Sequence, residues 1–294
     1  MVGSAIHDLL KKKEYKIIDC KRTSLDLTCQ KSVALWFKKN KPDIVINAAG
    51  KVGGILDNQK NKADYIYINS MIGFNLLNES LKNNVEQFIN MGSACIYPKK
   101  TKQPIREEQL LTSPLEETNE GYALAKISVL KYCEYINKTY NKKYISLMPT
   151  NLYGYGDNFN LQTSHVIAAL VKKFHHAQIS KKPSVEVWGS GSAKREFLNT
   201  IDLARAVLFC LEKKITSPYL NVGGGTYLTI KDLAKKIKKI TKYQGKIFFN
   251  KKFPDGVKER KLNNTKLKKQ GWKPTISFEN GLAKYYLDFK DGLK

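Results

Sequence analysis

The chain alternates between short apolar runs and longer segments in which apolar residues recur every three or four positions. Continuous apolar runs predict buried strands at 15–19, 43–49, 88–91 and 144–148. The periodic segments predict amphipathic helices at 1–10, 32–39, 64–83 and 122–140. A strand that is apolar along its whole length is buried on both faces, as in a parallel sheet covered by helices. The first half of the chain therefore predicts a Rossmann-like, doubly wound α/β fold.

The pattern changes after Pro149. Residues 150–159 are rich in turn-forming residues, and shorter helices are predicted at 166–176, 201–211 and 230–241. Short strands are predicted at 185–188, 219–222 and 246–250. We expect a nucleotide-binding domain over 1–150. Residues 151–294 are expected to form mainly a smaller α/β substrate-binding lobe, interleaved with the end of the first domain.

The charge and the cysteines exclude some classes of function. The 294 residues include 51 Lys and Arg against 26 Asp and Glu, a formal net charge of +25. The lysines are spread along the chain as on solvated helix faces, so we expect no nucleic-acid partner. The five cysteines lack metal-ligand spacing, and we expect no metal site. No segment has the pattern of a membrane span or a leader peptide, which predicts a cytoplasmic protein with no membrane partner.

Tyr122 and Lys126 provide the first candidate chemistry. They are four residues apart in a predicted helix, so their side chains share one face. A nearby ammonium favours a phenolate, and we expect Lys126 to lower the pKa of Tyr122. Ser93 follows a buried strand, where its hydroxyl can bind a substrate oxygen opposite the tyrosine. Taken alone, a Tyr-x-x-x-Lys spacing is more often part of a solvated helix face.

Several motifs in order along the chain resemble the extended short-chain dehydrogenase/reductases that act on nucleotide sugars. Ser93, the Tyr122-x-x-x-Lys126 pair and the strand end at 47–49 carry this resemblance. Further motifs, covering nearly the whole chain, are similar to those of the GDP-L-fucose synthase family: AGKVGGI at 49–55, GSACIYP at 92–98, MPTNLYG at 148–154, DNF at 157–159, SHVI at 164–167, WGSG at 188–191 and REF at 195–197.

This resemblance implies an activity, the NADPH-dependent 3,5-epimerisation and 4-reduction of GDP-4-dehydro-6-deoxy-D-mannose to GDP-L-fucose. A 4-keto group acidifies the hydrogens at C3 and C5, so a base and an acid on opposite faces of the sugar can invert both centres. The resemblance implies that Cys95 is the base and His165 the acid. It also implies that Tyr122 protonates the oxygen at C4, that Ser93 hydrogen-bonds it, and that Lys126 holds the nicotinamide ribose.

The resemblance also implies the binding residues and the assembly. Cofactor contacts are expected from Gly3, Arg22, Ala48, Ala49, Lys126, Pro149, Asn151, Leu152 and His165. Substrate contacts are expected from Lys173, Trp188, Arg195 and Lys261. Lys21-Arg22 stands at a strand end where an acidic residue would select NAD, which favours NADP. Members of the family form homodimers through a four-helix interface, here expected from the helices at 64–83 and 122–140.

The chain departs from the family at its start. Members begin with a strand and a G-x-x-G-x-x-G turn, which packs the cofactor pyrophosphate against a helix N-terminus. Here Gly3 matches the last glycine of that turn. We therefore expect the natural chain to begin further upstream. We also expect the 294-residue form to bind NADP poorly and to have low stability, and an upstream extension to correct both.

Other functions stay open on the sequence alone. One is another nucleotide-sugar enzyme, such as a 4-epimerase or a 4,6-dehydratase, although Ser93-Ala94-Cys95 differs from the Thr-Asp-Glu site of the dehydratases. A non-catalytic dinucleotide sensor or basic binding protein is another, and the intact Ser93, Tyr122 and Lys126 argue against it. A lone cysteine is usually a small buried side chain, and a lone histidine is usually a satisfied surface group.

Overall fold

The computed structural model describes residues 1–20 and 23–293, so the predicted cofactor residue Arg22 and its neighbour Lys21 lie outside the described residues. The described strands are β1 (Ile44–Asn47), β2 (Gln87–Met91), β3 (Ile145–Pro149), β4 (Asn151–Tyr153), β5 (Ser184–Trp188), β6 (Lys194–Asn199), β7 (Tyr219–Val222), β8 (Thr226–Thr229), β9 (Lys246–Asn250) and β10 (Glu259–Arg260). The described α-helices are α1 (Val2–Lys11), α2 (Gln30–Asn40), α3 (Ile55–Lys60), α4 (Lys62–Lys82), α5 (Glu120–Tyr140), α6 (Val166–Ile179), α7 (Thr200–Glu212), α8 (Ile230–Ile240), α9 (Thr265–Lys269) and α10 (Phe278–Asp291).

The central sheet has parallel strands in the order β1-β2-β3-β7. A ladder of buried polar side chains crosses it: Asn47 Nδ2 donates to Asn90 Oδ1 at 3.1 Å, and Asn90 Nδ2 donates to Ser146 Oγ at 3.2 Å. Buried polar groups need such partners, so the ladder favours a single register of β1, β2 and β3. The predicted parallel α/β sheet is confirmed, and the carboxyl ends of its strands form one edge.

Helices cover both faces of this sheet, because neighbouring strand residues point to opposite sides. Phe88 of β2 packs in a buried cluster with Leu77 of α4 and Val129 of α5. Ile89, the next residue, packs in a second cluster with Leu10 of α1 and residues of α7. None of the described helices is both long and apolar enough to cross a membrane.

The later part of the chain adds two smaller sheets. Strands β10, β6 and β4 form a parallel sheet, and β8 pairs antiparallel with β6. Strands β5 and β9 form a parallel pair. Val187 of β5, Phe174 of α6, Leu233 of α8 and Tyr285 of α10 belong to one buried cluster beneath these sheets. The division of the chain near residue 150 stays a prediction.

The structure differs from the sequence prediction in several elements. Residues 15–19 form no strand, since no described strand lies beside them to complete their backbone hydrogen bonds. The sequence analysis also assigned no element to α3, β4, β6, β8, β10, α9 or α10. Strand β6 was missed because Lys194 and Arg195 interrupt its apolar pattern, and β4 because it is short and lies in a turn-rich stretch.

Replacing Gly73 with alanine should destabilise the fold. A Cβ atom there would lie 2.3 Å from Val129 Cγ2, so α4 and α5 would have to move apart. Overpacking of this kind costs about 1 to 3 kcal/mol of unfolding free energy, which urea denaturation followed by circular dichroism measures. Gly292→Ala is the control, because an added Cβ there lies 3.5 Å from its nearest neighbour. Equal stability of the two variants would contradict the close helix contact.

Candidate active site

Polar segments follow the carboxyl ends of β1, β2 and β3 at one edge of the central sheet. Asn47 ends β1, Ser93 comes two residues after β2, and Thr150 follows β3. Gly92 joins two of these segments, since its N–H donates to the Leu147 carbonyl at 2.8 Å. Adjacent parallel strands place such residues close together, and in open α/β sheets this edge is where ligands bind.

Ser93 and Cys95 lie on one tight turn, which we call the Ser93–Cys95 turn. A short 3₁₀ helix, Ala94–Ile96, starts after Ser93, whose Oγ accepts a hydrogen bond from the Cys95 N–H at 3.2 Å. A serine at a helix start satisfies a backbone N–H that has no partner within the helix. Ala94 and Ile96 are buried and anchor the turn, whereas the Cys95 thiol is free and partly exposed.

Tyr122 lies in the first turn of α5, close to the Ser93–Cys95 turn. Burial raises the pKa of the Tyr122 phenol, the charge of Cys95 raises it further, and a hydrogen bond with Ser93 opposes both effects. The expected lowering of this pKa by Lys126 is not found. Burial removes water from the phenolate, and this outweighs the neighbouring groups.

Lys126 lies beneath Tyr122 and is 6% exposed. Its Nζ donates to the Met91 carbonyl at 2.9 Å and lies 5.7 Å from the centroid of the Tyr122 ring. Burial lowers the pKa of Lys126 to about 8, so the ammonium titrates just above neutral pH. The structure thus brings together four residues that the sequence singled out: Ser93, Cys95, Tyr122 and Lys126.

His165 directly precedes α6 and lies on a different loop. Although the residue is exposed, protein atoms crowd its imidazole and lower its pKa, while the carboxylate of Asp157 opposes this effect. Burial raises the pKa of Asp157, which accepts a hydrogen bond from Tyr285 Oη at 2.8 Å. A lowered pKa keeps the imidazole neutral at pH 7. Among the described residues, no hydrogen bond or ring contact joins His165 to Tyr122 or Cys95.

A glycine-rich loop at 50–54 links the two halves of the site. The Gly54 N–H donates to the Thr163 carbonyl at 2.9 Å, two residues before His165. An added Cβ at Gly54 would lie 2.8 Å from the Ser164 carbonyl oxygen, so only glycine allows this approach. The loop therefore holds the segment that carries His165 close to the sheet edge.

The sequence analysis missed Tyr65 and Asp57, which support Tyr122. The Tyr65 hydroxyl donates to Asp57 Oδ2 at 2.5 Å, and the Tyr65 ring meets the Tyr122 ring edge-on with 6.1 Å between centroids. An added Cβ at Gly53 would lie 2.3 Å from the Tyr65 hydroxyl oxygen. The paired glycines at 53 and 54 were the sequence signal, because a close contact requires them.

Arg195 of β6 lies near the Ser93–Cys95 turn. Its Nη2 donates to the Asp255 carbonyl at 3.1 Å and its Nη1 donates to the Lys194 carbonyl at 2.9 Å. Burial lowers the pKa of Arg195 to about 10, the charge of Arg260 lowers it further, and the charge of Cys95 opposes them. A partly buried guanidinium at this place can bind an anionic group of a substrate.

Asp255 is another residue that the sequence analysis missed. Its carboxylate accepts hydrogen bonds from the Ser190 N–H at 2.8 Å and from the Ser190 hydroxyl at 2.7 Å. These bonds fix the loop whose backbone carbonyl holds Arg195. The Pro254-Asp255-Gly256 sequence is a turn signal, and Gly256 has the positive φ of +68° that such a turn uses.

Two predicted substrate residues, Trp188 and Lys173, contact each other. Lys173 Nζ lies 4.8 Å from the centroid of the Trp188 ring and donates to the Glu186 carbonyl at 3.1 Å. Phe253 stacks on the indole with 4.4 Å between centroids and an angle of 12°. The indole is therefore already covered on one face by an aromatic ring.

Lys261, the remaining predicted substrate residue, lies beside Tyr227. Its Nζ is 5.4 Å from the centroid of the Tyr227 ring, and Lys194 Nζ is 5.9 Å from the same centroid. Burial and the neighbouring Glu259 raise the pKa of Tyr227, and the charge of Arg195 opposes them. Lys261 and Arg195 therefore share one basic surface around this ring.

Predicted cofactor residues lie where α1 begins and β1 ends. An added Cβ at Gly3 would lie 3.8 Å from Ala48 Cβ, so no side chain separates the two segments. The Ala49 N–H donates to Asn47 Oδ1 at 3.2 Å, which fixes the backbone after β1. A close approach of a helix start to a strand end is the arrangement that receives a pyrophosphate in nucleotide-binding folds.

The other predicted cofactor residues follow β3. Pro149 ends that strand, Asn151 Nδ2 donates to the Glu196 carbonyl at 2.9 Å, and Leu152 is half-buried in β4. These contacts connect the central sheet to β6. No group of three His, Cys, Asp or Glu side chains within the described ranges is placed to hold a metal ion.

Comparison with known proteins identifies close relatives. The profile of the NAD dependent epimerase/dehydratase family matches residues 1–223. A GDP-L-fucose synthase from Sinorhizobium fredii is 44% identical over 289 residues, covering 98% of this chain and 92% of the relative. The similarity therefore extends over the central sheet, the Ser93–Cys95 turn and the later sheets.

Solved structures show the same fold. A GDP-6-OMe-4-keto-L-xylo-heptose reductase from C. jejuni superposes with a TM-score of 0.93 at 30% identity, covering 99% of this chain and 95% of that chain. A GDP-L-fucose synthetase from Naegleria fowleri bound to NADP superposes with a TM-score of 0.90 at 27% identity, covering 99% and 90%.

Replacing Lys126 with methionine should stabilise the protein at neutral pH. The pKa of Lys126 falls from 10.5 to about 8 on folding, so between these values the unfolded state binds more protons and the stability of the wild type rises with pH. Below pH 8 Lys126 is charged in both the folded and the unfolded state, so the burial of its charge lowers the free energy of unfolding by the full amount. We expect Lys126→Met to gain about 1 to 2 kcal/mol at pH 7 after loss of the bond to Met91.

Denaturation of Lys126→Met across pH 7 to above pH 10 checks this expectation, because the gain should shrink as the pH rises. Lys11→Met removes an exposed lysine and serves as the control for charge alone. A Lys126→Met variant that is less stable than the wild type at every pH would contradict the buried ammonium.

Proposed function

The chain belongs to the NAD dependent epimerase/dehydratase family, and on this premise we propose that it is a GDP-L-fucose synthase. The reaction is the NADPH-dependent conversion of GDP-4-dehydro-6-deoxy-D-mannose to GDP-L-fucose. One observation carries the proposal: Ser93 and Cys95 share a turn that lies against Tyr122 and the buried Lys126. Reduction alone has no use for a thiol at this place.

The proposed epimerisation uses Cys95 and His165. Cys95, once its own proton has passed to solvent, removes the proton from C3 or C5 of the sugar. The electron pair moves to the 4-keto oxygen to give an enolate, which the Ser93 and Tyr122 hydroxyls stabilise by hydrogen bonds. His165 takes up a proton from solvent and, as an imidazolium, delivers it to the opposite face of the same carbon, so the carbonyl re-forms with inverted configuration and the imidazole returns to its neutral form.

The proposed reduction uses Tyr122, Ser93 and Lys126. NADPH, when bound, supplies the hydride for C4 of the sugar. Tyr122 donates its proton to the oxygen at C4, and Ser93 hydrogen-bonds that oxygen. The positive charge of Lys126 stabilises the phenolate that Tyr122 then becomes. The raised pKa of Tyr122 suits this role, because the phenol stays protonated until the alkoxide forms.

The proposed cofactor is NADP(H), and the residues at the sheet edge fit it. The open approach of Gly3 to Ala48 leaves room for a pyrophosphate, and Lys126 uses one donor on Met91 while its others can reach ribose hydroxyls. Ala49, Pro149, Asn151, Leu152 and His165 complete the proposed cofactor surface. The NADP in the Naegleria fowleri structure supports the choice, and the selection of NADP by Arg22 stays a prediction.

The proposed substrate surface lies on the later sheets. Arg195 binds the diphosphate with support from Lys261, and Trp188 with Lys173 lies toward the guanosine. Phosphate oxygens prefer the planar donors of a guanidinium, which places the strongest contact at Arg195. In this proposal residues 1–150 bind the cofactor, and residues 151–294 bind mainly the substrate.

Substitutions should separate the two halves of the reaction. Tyr122→Phe removes only a hydroxyl and should lower NADPH oxidation with GDP-4-dehydro-6-deoxy-D-mannose by about 100- to 10,000-fold. Cys95→Ser and His165→Gln should each suppress solvent deuterium uptake at C3 and C5, measured by NMR. Tyr135→Phe, an exposed tyrosine on the same helix, should leave both signals unchanged.

The same measurements test the other enzymes of this class. One alternative is a 4-reductase without epimerase activity, and the similarity to the C. jejuni reductase is the observation in its support. That function predicts NADPH oxidation without deuterium uptake, and full activity of Cys95→Ser. A 4-epimerase likewise needs neither Cys95 nor His165. A protein that binds NADPH but turns over no sugar would point to a dinucleotide sensor.

A homodimer through α4 and α5 is the proposed assembly. Both helices expose large aromatic side chains: Tyr67 is 62% exposed and Tyr135 is 56% exposed. Sedimentation velocity should show a dimer for the wild type and a monomer for the double variant Tyr67→Glu with Tyr135→Glu, because burying two carboxylates in an apolar interface is costly. Leu35→Glu on α2, at a residue that is 60% exposed, should leave the dimer intact.

A further inference from the structure

Arg260 is a buried guanidinium that the proposed mechanism does not use. It ends β10, is 6% exposed and pairs directly opposite Arg195 of β6. Residues that pair in neighbouring strands point to the same face of a sheet. The two guanidinium groups therefore lie side by side, and the charge of Arg260 contributes to the lowered pKa of Arg195.

The guanidinium of Arg260 reaches the middle of the Ser93–Cys95 turn. Its Nη1 donates to the Ala94 carbonyl at 2.6 Å, and the same carbonyl accepts the Tyr97 N–H at 3.3 Å. The Ala94 carbonyl belongs to the planar peptide group that leads into Cys95. Holding this oxygen fixes that plane, and with it the directions of the Ser93 and Cys95 side chains.

The strand that carries Arg260 is itself held firmly. The Lys261 N–H donates to Gln103 Oε1 at 2.8 Å, and the Leu262 N–H donates to Glu196 Oε2 at 3.0 Å. Glu196 is fully buried, so the second bond lies in the interior. These backbone hydrogen bonds fix the chain beside Arg260, and so they help to fix the position of its guanidinium.

Arg260 forms no ion pair with any residue that the structure describes. Its Nη2 is buried without a hydrogen-bond partner, and the ion pairs of residues 1–20 and 23–293 do not include it. Burying an unpaired cation is costly, and a neutral donor could hold the Ala94 carbonyl at lower cost. The positive charge of Arg260 makes the electrostatic potential at the adjacent Ser93–Cys95 turn more positive.

We propose that Arg260 is a positioning residue for the epimerase step. Through Ala94 it orients Ser93 and Cys95, and its unpaired charge stabilises the negative charge that forms on the sugar when a proton leaves C3 or C5. The proposal rests on the proposed function, since it concerns the same site. It explains why a cation is buried at a place where its Nη2 has no hydrogen-bond partner among the described residues.

Two substitutions separate the hydrogen bond from the charge. Arg260→Gln keeps a donor near Ala94 and removes the charge, whereas Arg260→Met removes both. We expect Arg260→Met to slow deuterium uptake at C3 and C5 of GDP-4-dehydro-6-deoxy-D-mannose by about 10- to 100-fold, as small displacements of catalytic groups do, with a smaller loss for Arg260→Gln. NADPH affinity, measured by fluorescence titration, should be unchanged in both.

Arg106→Met is the matched control, because Arg106 is exposed and its loss should leave uptake at the wild-type rate. Uptake at the wild-type rate in Arg260→Met would overturn the proposal while leaving the proposed function intact. Equal losses of uptake and NADPH affinity would also overturn it, by showing a general structural role. If Arg260→Met does not fold, Arg260→Gln decides by the same two measurements. Absence of uptake in the wild type would overturn the epimerase function and this inference together.

Discussion

A buried ammonium ties helix α5 to the end of the central sheet. Lys126 Nζ donates to the carbonyl of Met91, the last residue of β2, at a place with little solvent. Helix α5 cannot shift along the sheet without breaking this hydrogen bond and leaving a buried ammonium without a partner, which is costly. Tyr122 on the helix is therefore held close to Ser93 after the strand by a constraint beneath both residues.

A buried carboxylate performs a similar task for the later sheets. Glu196 of β6 is fully buried and accepts hydrogen bonds from the Gly224 N–H at 2.7 Å and the Leu262 N–H at 3.0 Å. Burial raises its pKa, and these bonds oppose that effect. Three segments that are far apart in the chain meet at this side chain, so Arg195 and Arg260, its neighbours along β6 and β10, keep fixed positions.

Much of the fold could be predicted from the sequence, because continuous apolar runs mark the strands of a covered parallel sheet. The grouping of Ser93, Tyr122 and Lys126 was also predictable, since strand ends and helix periodicity determine it. Contacts between distant segments were not. Asp57, Asp255 and Arg260 reveal their neighbours only in the folded chain. The residues at 15–19 were apolar enough for a strand, but a strand also needs a partner.

The pKa of Tyr122 shows the same limit in another form. Residue spacing suggested a lysine that acidifies the phenol, whereas burial raises the pKa. Spacing along a helix gives the distance between two groups, but the solvation of each group depends on everything packed around it. The sequence therefore predicted that Lys126 lies close to Tyr122, as it does, but predicted the wrong direction for the pKa of Tyr122.

The basic surface formed by Arg195, Lys261 and Lys194 also affects how fast an anion arrives. It belongs to a chain with a formal net charge of +25, so a phosphate-bearing molecule is attracted before any contact forms. At physiological salt this attraction extends over a screening length of about 8 Å. The rate at which the enzyme captures a nucleotide sugar by diffusion thus depends on the ionic strength of the surroundings, whereas the chemistry at the sugar ring does not. When substrate is scarce, the rate is therefore set partly by residues that never touch the reacting carbons.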